Sequence, residues 1–155
     1  MGDRTYVTLT VRRADKDRVL QICDTADYAP ETPDQDPSDV NFVHMGFEDV
    51  NYGELPFLPV LEKAGIPFES SWASGDEYGE GTSYCRYNDE GDHVPYVLYE
   101  EDYLVPIHEL MKRLHDYNSL AEFIREKDQG LQVIPWDNQE RNAKLFRTKQ
   151  LINPE

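Results

Sequence analysis

Twenty of the chain's 31 carboxylates lie between Cys23 and Tyr103, where only Lys63 and Arg86 oppose them, so residues 24–102 alone hold a formal charge of −18. The flanks are not acidic. Residues 1–23 sum to +2 and residues 103–155 to zero, which leaves the −16 of the whole chain. Acidity spread evenly along a chain serves solubility, whereas a one-sign block of this size makes a field that attracts cationic surfaces and repels nucleic acid and anionic membranes. A positively charged protein is therefore the first partner to consider.

At 155 residues the chain is long enough for one core and short for two ordinary domains, so the expectation is a single domain over 1–155. Ten Tyr, six Phe and two Trp supply the large burial units that disordered chains lack. No stretch approaches the ~20 apolar residues of a membrane helix, and Met1-Gly2-Asp3-Arg4-Thr5 carries no apolar signal region, so the expected location is the cytoplasm. Cys23 and Cys85, far apart and outside any CxxC pattern, read as buried free thiols.

Alternation of Thr5, Val7, Leu9 and Val11 against Tyr6, Thr8 and Thr10 predicts a half-buried strand. A short helix with Val19, Leu20, Ile22 and Cys23 follows, with Asp15 placed to cap it. Residues 24–39 hold three prolines, six carboxylates and no base; with Tyr28 as the one large side chain, they predict a flexible acidic loop. Residues 41–47 read as a buried strand. Leu55, Leu58, Leu61 and Ala64 then repeat at helical spacing before Gly65. Residues 68–73, 82–88 and 93–99 read as three strands, the last two joined as a hairpin by Asp89-Glu90-Gly91-Asp92. Three helices close the chain: one after Pro106 with Ile107, Leu110, Met111 and Leu114 on a face; one from Asn118 or Ser119 to Gly130; and one from a capping box at Asp137 and Glu140 to about Gln150. This order predicts an α+β fold: an antiparallel or mixed sheet of about five strands with helices on one face and a helical C-terminal part.

The spacing of Asp34, Asp36 and Asp39 offers hard oxygen ligands, yet it lacks the sixth-position Gly and terminal Glu of an EF-hand loop, so it reads as solvated acid, with no metal expected. Ser74 to Thr82 has three glycines, but Asp76, Glu77 and Glu80 repel phosphate and no Lys answers it. His44, His93, His108 and His115 form no metal-binding pattern, and Ser70-Ser71 no nucleophile elbow. No catalytic residue and no cofactor is assigned.

More informative is the interleaving of acids and aromatics from Glu69 to Tyr103. Carboxylates meet Lys and Arg, while Trp and Tyr supply rigid contact area. The partner-binding residues expected on this basis are Asp34, Asp36, Asp39, Glu69, Trp72, Asp76, Glu77, Tyr78, Glu80, Asp89, Glu90, Asp92, Glu100, Glu101 and Asp102. Alternate carboxylates on a strand stand ~6.6–6.8 Å apart, a ladder of charge able to engage a groove built for a phosphate backbone.

The stretch Ala64-Gly65-Ile66-Pro67, through Gly75, Gly79 and Gly81-Thr82 to Arg86-Tyr87, followed by Pro135-Trp136-Asp137-Asn138, resembles small accessory proteins of plasmids and phages. The size and acidic block are also similar to those of DNA-mimic antirestriction and anti-CRISPR inhibitors and of nuclease-immunity proteins, a likeness of charge and not of motif. The expectation is a non-enzymatic protein whose acidic face, residues 24–102, occupies the basic nucleic-acid-binding surface of a partner without touching nucleic acid or membrane. The alternative is a small-molecule binder or metal-dependent enzyme, with Trp72, Tyr84, His93 and Tyr96 around a pocket.

Overall fold

Val7, Leu9 and Val11 are fully buried while Tyr6, Thr8 and Thr10 face the other way, as their alternation predicts. A computed structural model describes residues 3–154. The elements run β1 (Arg4–Arg12), α1 (Lys16–Thr25), β2 (Phe42–Asn51), α2 (Leu58–Lys63), β3 (Phe68–Trp72), β4 (Gly81–Tyr87), β5 (His93–Tyr99), α3 (Ile107–Arg113), α4 (Tyr117–Gly130) and α5 (Gln139–Ile152). Short 3-10 turns follow β1 at Arg13–Asp15 and β5 at Glu100–Tyr103. The fold is α+β, and the five strands form one sheet in the order β2-β1-β3-β4-β5 with every pair antiparallel.

Register sorts the side chains onto two faces. Val11, Phe68 and Cys85 line up across the sheet, as do Val7 and Trp72, and this face packs on Val19 and Cys23 of α1, Leu61 of α2 and Ala143 of α5. Phe47, Phe57 and Tyr28 form an aromatic cluster at its β2 side, with centroids 5.6–6.1 Å apart. The opposite face carries Thr10, Glu69, Tyr84 and Arg86, and Trp136 covers it: its ring lies 3.9 Å from the Arg86 guanidinium and 5.0 Å from the ring of Phe42. Both thiols are buried and unpaired; burial pushes Cys23 up to about 11 and Cys85 up to about 12, which leaves neither suited to nucleophilic work.

Three helix N-termini depart from the sequence expectation, in how they are capped or in where they begin. Asp15 stands at the N-cap of α1, but its carboxylate accepts from Arg12 at 2.6 Å and Arg18 at 3.4 Å instead of capping. α4 begins at Tyr117, one residue before Asn118, because Asp116 accepts from the amides of Asn118 and Ser119 at 3.0 and 3.2 Å. The capping box at Asp137 and Glu140 does not form: Asn138, at φ 64°, leads into α5, and no side chain caps it. In its place Gln139, fully buried, pairs its carboxamide with both the N–H and the C=O of Tyr87, each at 2.9 Å. That amide closes the β4 ladder beyond the start of β3, and Asn142 adds a bond to the same carbonyl at 3.0 Å.

Residues 26–41 form no helix or strand and run along the outer edge of β2. Thr32 bridges Gly46, and the Gln35 amide donates to the His44 carbonyl at 2.8 Å. The segment covers main-chain groups that would otherwise offer an edge for pairing. α4 flanks the other edge, where Phe123 and Leu131 share a groove with Val97 and Leu98, and α3 packs on α4. The apolar side chains Ile107, Met111 and Leu114 on the shared face of α3 are exposed. No helix among the described residues is long and apolar enough to cross a membrane.

Candidate functional site

The antiparallel register sends the acidic block to both ends of the sheet, ~20 Å apart. At one end lie the turn after β1, the start of β2 and the β4–β5 hairpin, with Asp34, Asp36, Asp39, Asp89, Glu90 and Asp92. At the other lie the turn after β2, the β3–β4 loop and the turn after β5, with Glu54, Asp76, Glu77, Glu80, Glu100, Glu101 and Asp102. Glu69 belongs to neither, since it sits mid-strand and pairs with buried Arg86. Arg86, one of the two bases in the block, also donates to the carbonyls of Phe68 at 2.8 Å and Ile134 at 2.9 Å. It is a core group and cancels no charge at either end.

The first end is partly neutralised by the flanks of the chain. Arg13 and Lys16 hold Asp34 at 2.7 and 3.1 Å, and the hydrogen bond from Arg13 brings its carboxyl down to about 2. The amides of Phe42 and Asn41, at 3.0 and 2.8 Å, lower Asp39, and His44 stands 3.5 Å away. Asp36 accepts from the amide of Ser38 at 3.1 Å. From α5, Arg141 reaches Asp89 and Lys149 reaches Asp92, each at 2.7 Å, and the latter lowers the Asp92 carboxyl. Three of the expected partner-binding residues here, Asp34, Asp89 and Asp92, thus already have cationic partners within the molecule.

The second end has no such supply. Among the described residues no Lys or Arg pairs with Glu54, Asp76, Glu77, Glu80, Glu100 or Glu101. Arg4, at the same end, directs its guanidinium to the Asp49 carbonyl at 3.3 Å. Asp76, Glu77, Glu80, Glu100 and Glu101 are exposed, and the Glu100 amide donates to the Glu80 carbonyl at 3.1 Å, which sets the two acidic turns side by side. Asp102 instead accepts from the Tyr99 amide at 2.7 Å and fixes the turn.

Beneath this acidic rim opens a cleft of about 560 Å³, walled by Tyr52, Leu55, Leu58, Trp72, Tyr78 and Tyr99 and edged by Glu54 and Glu62. Trp72 is set by backbone on both sides: a Cβ at Gly53, which has φ +70°, would stand 2.7 Å from its ring, and one at Gly81 2.5 Å. Its indole N–H donates to the Gly79 carbonyl at 3.1 Å, and Tyr99 meets it edge-on at 5.9 Å. Tyr78 packs on Tyr52 at 6.0 Å. Ser70 lies in the cleft, fully buried, and its Oγ has no hydrogen-bond partner; the hydroxyl of Tyr78 is likewise buried and unpaired.

The alternative pocket expected from sequence is not assembled. Trp72 lines the cleft, Tyr84 and Tyr96 stand opposite each other on the far face, and His93 is at the neutralised end. The expected set contained Trp72 and Tyr78 but not Tyr52, Glu54, Glu62, Ser70 or Tyr99 as cleft residues. Ser70 carried a readable signal, a polar residue between Phe68 and Trp72 on the apolar phase of its strand. Comparison of the chain with family models, with curated proteins and with solved structures finds no match.

Proposed function

We propose that this is a non-enzymatic interaction protein whose unpaired acidic end occupies the basic, nucleic-acid-binding surface of another protein, as an inhibitor that imitates nucleic-acid charge. The observation that carries the reading is the gathering of Asp76, Glu77, Glu80, Glu100 and Glu101 at one end of the sheet, with no Lys or Arg paired to them among the described residues. Unpaired surface carboxylates repel one another and add nothing to folding, so their concentration beside an aromatic cleft is explained by a cationic partner. The target class the reading favours is a defence nuclease or CRISPR-type complex, whose nucleic-acid channel presents the required Lys and Arg.

The test is affinity capture from host lysate at low and high salt, followed by competition between the captured protein and its nucleic acid. Salt-sensitive capture of a protein whose nucleic-acid binding is then blocked supports the reading, since attraction between such surfaces is screened beyond ~8–10 Å. Capture unchanged by converting Asp76, Glu77 and Glu80 together to amides overturns it.

A further inference from the structure

We infer that the aromatic cleft is a guanidinium site, filled by an arginine side chain that the basic partner presents; the source of that arginine rests on the function proposed above, the chemistry of the site does not. Tyr52, Trp72, Tyr78 and Tyr99 give the cleft several π-faces, which attract cations and stack best on a planar one. Glu54 and Glu62 stand at its edge, and no Lys, Arg or His lines it. The charge at the rim therefore favours a cation over an anion.

The two unpaired hydroxyls narrow the choice among cations. Ser70 Oγ and Tyr78 Oη, from two residues that line the cleft, are buried and have no protein partner among the described residues, so water or a ligand can supply the donor. Guanidinium has five N–H donors in a rigid plane, enough to serve hydroxyl acceptors and a carboxylate at the edge while its face lies on a tyrosine ring. A primary ammonium brings three donors and no plane to stack; a quaternary ammonium brings none. The volume of about 560 Å³ lies within the range of ~300–1,000 Å³ usual for ligand sites.

The chain has two tryptophans, and Trp136 lies on the opposite face; Trp72 borders both the cleft and the groove beside Glu80 and Glu100, so a shift of its indole N–H counts for the cleft where the methyl resonances of Leu55 and Leu58 move with it. A Trp136→Phe variant, which keeps a ring over Arg86, assigns the signal. The probes are N-acetyl-arginine methylamide, N-acetyl-lysine methylamide, tetramethylammonium and a short arginine- and lysine-rich peptide, added to the full chain. The arginine amide is expected to move the Trp72 resonance saturably, at a Kd on the order of millimolar for so small a ligand, with the lysine amide at least about fivefold weaker and tetramethylammonium weaker still. Ser70→Ala and Glu62→Gln should each weaken the arginine amide by roughly three- to tenfold while leaving the spectrum otherwise folded.

The peptide arm identifies the source. A partner-borne arginine predicts that the peptide binds at least about tenfold tighter than the free amide, and that Asp76→Asn, Glu77→Gln and Glu80→Gln together abolish the gain. Equal affinity for peptide and free amide overturns the protein source. No saturable shift of Trp72, or equal shifts with all three cations, overturns the site. An unmoved Trp72 alongside intact salt-sensitive capture sinks the cleft alone; arginine binding without such capture sinks the inhibitor reading alone.

Discussion

The two ends of the sheet hold similar numbers of carboxylates and treat them in opposite ways. Where β1 ends and the β4–β5 hairpin turns, Arg13, Lys16, Arg141 and Lys149 meet Asp34, Asp89 and Asp92 at 2.7–3.1 Å, so acid and base are consumed in holding the flanks of the chain to its middle. Where β3 turns into β4 and β5 ends, the carboxylates of Asp76, Glu77, Glu80, Glu100 and Glu101 are exposed and pair with no Lys or Arg among the described residues. Net charge is therefore a poor guide to the charge a partner meets. The difference separates acids tied to bases within the molecule from acids that are not.

Four changes probe this division. The largest effect on folding is expected at the fastened end, from Gln139→Leu, which keeps bulk but strips the Tyr87 main chain of the Gln139 carboxamide; the loss should be about 2–4 kcal/mol, read as a urea midpoint shift with little change in slope. If stability is unchanged, α5 is not anchored as described. Next, amides at Asp76, Glu77 and Glu80 together should leave the melting temperature within ~2 °C of the parent yet weaken partner binding by roughly tenfold at low salt, and less at high salt. A large loss of stability with that triple change would place these acids among the fasteners.

A third change concerns pH. The folded Asp34 carboxyl is held at about 2, below its ordinary 3.8, so its contribution is present above about pH 4 and is lost as pH falls toward 2, where the unfolded chain takes up the proton first. Asp34→Asn should flatten the acid limb of a stability–pH curve in that window. A parallel limb in the variant would remove Arg13 and Lys16 from the account. The smallest effect is expected from Asp89→Asn: its pair with Arg141 is exposed on both sides, and exposed pairs contribute little, so the melting temperature should move by no more than ~1–2 °C.

Much of the fold was legible in the chain. Alternation in β1, the Gly-containing hairpin between β4 and β5 and the apolar spacing around Leu58 and Leu61 each depend on near neighbours, and each is found where expected. Helix starts were less legible, because a capping side chain can be claimed by other donors, as Asp15 is by two arginines. Of the expected contact residues, Trp72, Asp76, Glu77, Tyr78, Glu80, Glu100 and Glu101 fall together at one end, and Glu69 is tied to Arg86 inside the sheet. The cleft was not legible as a set, since Tyr52, Ser70 and Tyr99 come from separate elements.

By itself the sequence determined the order of elements, the buried phase of the strands and the −18 carried by residues 24–102, because these follow from local periodicity and composition. Only the tertiary structure decided which of those charges remain free. That outcome turns on bases brought from far along the chain, such as Lys149 to Asp92 across 57 residues, and on strand register that puts Trp72 between Gly53 and Gly81. An ion pair forms where two side chains meet within about 4 Å, and meetings of that kind are set by packing and not by nearness in sequence.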